Sequence, residues 1–150
     1  MARTRCARTT SERGQALLEV ALTLPLLLLV AVGIFEFGRA YQTWQILTNA
    51  AREGARVAVL PGVNDGAVEA RVHQYLEAGL IPDPDAADVT IERDTTVTIG
   101  GAATASASRV DVAYPFTFIV LQPVARLVVS GSTVGAPLTM TTSATMRNEM

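Results

Sequence analysis

Residues 16–35 form a nearly unbroken apolar run whose one acid, Glu19, sits near its start. A helix rises about 1.5 Å per residue, so twenty residues reach roughly 30 Å, the thickness of a bilayer's hydrocarbon core. The run reads as a membrane segment close to the N-terminus. In a chain of 150 residues it leaves room for one anchor and one small domain. The expected division is a basic cytoplasmic leader over 1–14, a transmembrane and extended helix over 15–60, and a small extracytoplasmic domain over 61–150.

The charge is unevenly placed. Arg3, Arg5, Arg8 and Arg13 precede the apolar run against Glu12 alone, and the positive-inside rule puts that end in the cytoplasm. Beyond residue 14, 8 Arg face 13 acids, a net of −5. A mildly acidic body argues against nucleic acid as a partner, since phosphate binding needs a basic face. The single cysteine, Cys6, lies in the leader, so the outer domain has no intrachain disulfide.

Three fates for the N-terminal segment are open on these residues. One is an ordinary secretory signal cut near Ala31, Val32 and Gly33, a passable small-x-small site. The run is about twice the length of a usual signal core, and helical patterning continues through it. The second is an uncleaved signal anchor. The third is cleavage on the cytoplasmic side, between Gly14 and Gln15, which leaves the apolar helix on the mature chain with Glu19 at its fifth position. A carboxylate in lipid costs about 2.5–3.5 kcal/mol at mid-depth and less near the interface. Pairing with the α-amino group of a neighbouring subunit would offset that cost. Glu19 snorkelling to the headgroups is the alternative.

The string Arg13-Gly14-Gln15-Ala16-Leu17-Leu18-Glu19, followed by a Leu/Val run, resembles prepilin processing sites. Pro25-Leu26-Leu27-Leu28-Leu29, Gly33-Ile34-Phe35-Glu36-Phe37-Gly38-Arg39-Ala40 and Asn49-Ala50-Ala51-Arg52-Glu53-Gly54-Ala55-Arg56 complete an ordered set that is similar to the TadE-like family. These are minor pilins or pseudopilins of tight-adherence (Flp-type) pilus machines. The close likeness covers about residues 13–60, with looser likeness over 110–118 and 138–149. It departs from the family at Val20, where Tyr or Phe is usual. The resemblance implies processing at Gly14 and Gln15 by a prepilin-type peptidase and a role for Glu19 in subunit assembly. It implies, as partners, the major Flp-type pilin, other minor pilins, the inner-membrane assembly platform and the lipid bilayer. The location it implies is a single pass through the cytoplasmic membrane, with a place in the pilus itself left open.

Nothing in the pattern stops the helix at the membrane edge. Pro25 removes a backbone donor, which membrane helices tolerate. Gly33 and Gly38 are small positions where another helix could pack closely. Past residue 35, Phe37, Ala40, Tyr41, Trp44, Leu47, Ala51, Ala55 and Ala58 recur at helical spacing, predicting an interfacial aromatic belt and a seam for the outer domain. Glu36 and Arg39 are spaced to pair at i,i+3, worth a few tenths of a kcal/mol. Pro61 and Gly62 end the helix.

Asn64, Asp65 and Gly66 read as a cap opening a second helix, with Val68, Val72, Tyr75, Leu76 and Leu80 on its apolar face and an end near Gly79. Beyond the acidic Pro82–Asp85 link the period becomes two. Val89, Ile91, Val97 and Ile99 alternate with polar residues; Gly100, Gly101 and the small residues after them read as a loop. Two further alternations follow, through Val110, Val112, Tyr114, Phe116 and Phe118, and through Leu138, Met140, Thr142, Ala144 and Met146. The expected class is α+β and pilin-like: a long membrane-spanning helix, a short helix and a small antiparallel sheet of about three strands. Pro115 favours an edge strand or bulge. Residues 119–129 read as a short helix or an apolar flap against the long helix or a neighbour.

Catalytic chemistry has little to stand on. His73 is the one histidine, which leaves no tetrahedral zinc set in the outer domain. Gly131-Ser132-Thr133-Val134-Gly135 has Thr where a nucleophile elbow needs its Ser. Asp83 and Asp85 lack the further ligands of a calcium loop. The expectation is a protein with no catalytic residue, metal or cofactor, a pilin-like subunit. The alternative is a solitary signal-anchored extracytoplasmic binding domain with no fibre role.

Overall fold

The computed structural model describes residues 9–101, 103–128 and 130–148. Arg3, Arg5, Cys6 and Arg8 of the leader, Val129 and Glu149 lie outside them. Helix α1, Thr9–Ala58, runs unbroken for 50 residues, roughly 75 Å. It passes through Pro25 without ending and continues across both Gly14 and Gln15. Its first half stands away from the rest of the protein, and its second half forms one wall of a small α+β domain.

The face that α1 buries is Glu36, Ala40, Thr43, Leu47, Ala50, Ala51, Ala55 and Ala58. Ala40, Leu47, Ala51, Ala55 and Ala58 come from the predicted stripe, and Glu36, Thr43 and Ala50 join them. Phe37, Tyr41 and Trp44, the aromatics of that stripe, are exposed, Phe37 meeting the Phe118 ring edge-on, and the small alanines line the seam where α2 and the sheet approach closely. At Gly54 the approach is closest: a Cβ there would lie 2.6 Å from Val72 Cγ2 and 3.2 Å from Val110 Cγ1.

Helix α2, Asp65–Ala78, begins where Asn64 accepts the Ala67 N–H at 2.9 Å, and it buries Val68, Val72 and Leu76. Leu80 departs from prediction: it is 88% exposed and adopts φ 57°. The N–H groups of Leu80 and Ile81 donate back to Glu77 and Leu76 carbonyls, so Leu80 is the left-handed residue of a Schellman ending, a place usually held by Gly. Gly79 is spent elsewhere, since a Cβ on it would meet Ile46 Cγ2 at 2.6 Å. Ile81 takes the buried place instead.

Strands β1 (Asp88–Ile99), β2 (Ala103–Phe116) and β3 (Leu138–Arg147) form one antiparallel sheet in the order β1-β2-β3. The small residues after Gly101 therefore belong to a strand and not to the loop, which shrinks to the tip around Gly100 and Gly101, both at positive φ. Pairing with β1 needs only backbone groups there. Between the pairs Glu92–Arg109 and Thr95–Ala107 the register shifts, a bulge with Asp94 at φ 58°. One extra residue reverses the side-chain alternation. Val97 and Ile99 consequently lie on the sheet face opposite to Val89 and Ile91, against the prediction of one shared face. The bulge aims Arg93 at the helices: its Nε donates to Asp65 at 2.6 Å and its Nη1 to the Ala58 carbonyl at the end of α1 at 3.1 Å.

Pro115 sits in the central strand, not in an edge strand. β1 has ended by then, its last rung being Asp88–Ala113, so one side of β2 is locally unpaired at Pro115. Val110, Val112, Tyr114 and Phe116 face the core beside α1 and α2, and the Tyr114 hydroxyl donates to the Pro82 carbonyl. After β2 the chain turns through Thr117–Val120 into the short helix α3, Leu121–Val128, which buries Leu121 and Ala125.

Candidate functional site

The feature that sets this protein apart is the exposed half of α1 and the junction where it meets the domain. The helix from Gly14 has a window of mean hydropathy 2.5 with 0% of it buried, and it is long and apolar enough to cross a membrane once. Leu17, Leu22, Leu26, Leu27 and Ile34 are all exposed. Such a surface is stable in lipid and not in water.

The sequence-selected residues lie along this half. Gly14 and Gln15 are exposed on the helix one turn before Glu19. Glu19 is exposed too, and its carboxylate has no partner among the described residues; its carbonyl accepts the Thr23 hydroxyl at 2.9 Å. Among the described residues, a Cβ at Gly33 or Gly38 would meet nothing within 4 Å, so no other described element packs on either. The structure thus strings these residues along one exposed helix and does not gather them into a pocket.

It does gather a set that sequence reasoning undervalued. Glu36 is fully buried. Its Oε1 accepts the backbone N–H of Ile119 at 3.0 Å and of Val120 at 2.7 Å, immediately ahead of α3. Its Oε2 accepts Arg39 Nη2 at 3.0 Å. Arg39 also donates to the Thr117 carbonyl and lies over the Phe116 ring, 4.5 Å from its centroid. Phe116 meets Phe118 edge-on at 5.1 Å, and Phe118 meets Phe37 at 6.2 Å. The carboxylate is placed where the α3 N-terminus leaves N–H groups unpaired, so charge and dipole agree. Glu36 therefore latches α1 to the β2–α3 corner, a larger role than the surface pair predicted. The signal was present: Glu36 is in register with Ala40, Thr43, Leu47 and Ala51, on the buried face.

A second charge cluster ties α1 to α2. Glu53 accepts Arg56 Nη2 at 2.7 Å and Arg71 Nη2 at 2.8 Å. These two guanidiniums, Arg56 foremost, hold its carboxyl down at about 2. His73 is half-buried, its Nδ1 3.1 Å from the Pro84 carbonyl. No group of three or more His, Cys, Asp or Glu among the described residues is placed to hold a metal ion.

A family model described as TadE-like protein matches residues 14–56, which holds the exposed half of α1, Glu36 and Arg39 of the latch, and all of the α1 seam but Ala58. No curated protein matches the chain, and no solved structure does. Over residues 14–56 the chain carries a TadE-like segment, which supports, in general terms, an association with Tad pili.

Proposed function

We propose that this protein is a non-enzymatic minor pilin or pseudopilin that takes part in assembling a tight-adherence pilus. The observation that carries the reading is an overlap: the TadE-like match over residues 14–56 contains the whole exposed apolar run of α1. In this reading a prepilin-type peptidase cuts between Gly14 and Gln15 on the cytoplasmic side. The apolar helix then packs among the helices of the major Flp-type pilin and other minor pilins at the inner-membrane platform, through contacts made in lipid. Gly33 and Gly38, open in the single chain, give those helices close approach. Glu19 neutralises the α-amino group of an incoming subunit. The domain, held extracytoplasmically by the Glu36 latch, caps or primes the fibre.

The test is the intact mass of the membrane-extracted protein from its native host, with and without the prepilin peptidase. Loss of residues 1–14 only when the peptidase is present is the expected result. A full-length chain in both strains would favour a solitary anchored binding domain with no fibre role. A start near Ile34 would mean an ordinary signal peptide and overturn the pilin reading.

A further inference from the structure

The latch fixes a level as well as a contact. Glu36 lies one residue past the apolar run, and its hydrogen bonds to Ile119 and Val120 hold the β2–α3 corner beside that turn of α1. With residue 16 at one boundary of the hydrocarbon core, about 1.5 Å of rise per residue brings residues 35 and 36 to the other boundary, roughly 30 Å away. The corner is therefore held at the membrane surface, with no linker between span and domain.

The side chains at this end suit that place. Ile119 and Phe37 are each 64% exposed, and Phe37 packs edge-on against Phe118. Leu138, exposed, is paired with Phe116 at the last rung of β2 and β3. Val134, exposed, belongs to a turn seated on the start of α3, where a Cβ at Gly135 would meet the Gln122 N at 2.7 Å. These apolar groups come from separate segments of sequence, each tied to the β2–α3 corner through Phe116, Phe118 or the start of α3. Charge points the same way. From 112 to 148 the chain has no Asp or Glu and two Arg, of which Arg126 is exposed on α3.

Resting on the reading that α1 spans a bilayer, we propose that the β2–α3 corner docks into the lipid leaflet on the domain's side. Ile119 and Phe37 enter lipid at the hydrocarbon boundary, and Arg126 lies among headgroup phosphates. Continuity with the spanning surface selects lipid as the occupant, because the corner begins where that surface ends. The domain then stands on the membrane at a fixed tilt, and leaving the bilayer requires release of the corner as well as of the helix.

The test uses the full chain with Cys6→Ser and single cysteines in turn at Ile119, at Leu27 in the span and at Thr98 near the far tip of the sheet. Each is nitroxide-labelled in vesicles of phosphatidylethanolamine and phosphatidylglycerol, and collision rates with oxygen and with a water-soluble nickel chelate are compared. The expected oxygen-to-nickel ratio at 119 is several-fold above that at 98 and approaches that at 27. A ratio at 119 equal to that at 98, with 27 in lipid, overturns the docking while leaving the span intact. A label at 119 shielded from both reagents means a protein neighbour covers the corner, which also overturns it. A water-like ratio at 27 overturns both the docking and the spanning reading.

Discussion

Replacing Glu36 by Ala removes three hydrogen bonds at once. The N–H groups of Ile119 and Val120 lose their acceptor, and Arg39 loses its counter-ion while its guanidinium remains largely inside, its side chain 25% exposed. Its Nε is already buried without a partner. Breaking a buried pair by deleting one member costs about 3–5 kcal/mol. Arg39 keeps the Thr117 carbonyl and some contact with solvent, which puts the expected loss at the low end, about 3 kcal/mol. Small domains hold only about 5–15 kcal/mol in all, so the loss is a large share. Glu36→Gln keeps an oxygen for the two N–H groups but turns an amide NH2 toward Arg39, giving up the charge and the Arg39 hydrogen bond, so about 2 kcal/mol is expected. The assay is denaturant unfolding of the full chain in micelles, with amide exchange read at Ile119 and Val120. Both amides should lose protection in Glu36→Ala and largely keep it in Glu36→Gln. If the two variants are alike and within about 0.5 kcal/mol of the parent, Glu36 behaves as an ordinary surface acid and the latch is wrong.

Four further outcomes are expected. Leu80→Gly should stabilise the domain by about 1 kcal/mol, because the left-handed φ strains Leu and its exposed side chain contributes little packing; a melting midpoint that falls would contradict this. Gly54→Ala should destabilise by about 1–2 kcal/mol, since Val72 is β-branched and stiff, and adding Val72→Ala should recover part of the loss; a stabilised single variant would mean that Val72 yields. The Glu53 carboxyl is depressed on folding from 4.5 to about 2, so its contribution is full above pH 4.5 and is lost as pH falls toward 2. Glu53→Gln should flatten stability across that window, its pair being worth about 1 kcal/mol at this partly exposed site, and an unchanged acid limb would refute the assignment. Glu19→Ala should insert normally yet lower pilus yield, and normal piliation would remove the role given to Glu19.

The one-chain structure explains why some of these sites were legible in advance and others were not. Gly14, Gln15 and Glu19 could be singled out because their pattern is local spacing along one helix, and the roles given to them belong to the proposed function. Gly54 was not, since a glycine in a helical pattern announces nothing until Val72 and Val110 are known to press on it. The bulge at Arg93 and Asp94 was hidden for a similar reason. Odd-numbered apolar residues on both sides of it imitate one continuous face, and only the partner strand shows the slip.

The sequence by itself determined the long helix, its membrane-length apolar surface, the capped second helix, the antiparallel class of the sheet and the likeness to TadE-like proteins. Each of these rests on period, length or turn chemistry, which short stretches of chain carry alone. Tertiary structure alone decided that an acid at the end of the apolar run would be buried, that Leu80 would take the left-handed turn so that Gly79 could admit Ile46, and that Thr43 and Ala50 would join the alanine seam. Those outcomes depend on what arrives from far along the chain. Glu36 finds its donors 83 and 84 residues away, and no local pattern specifies which backbone will be folded against it.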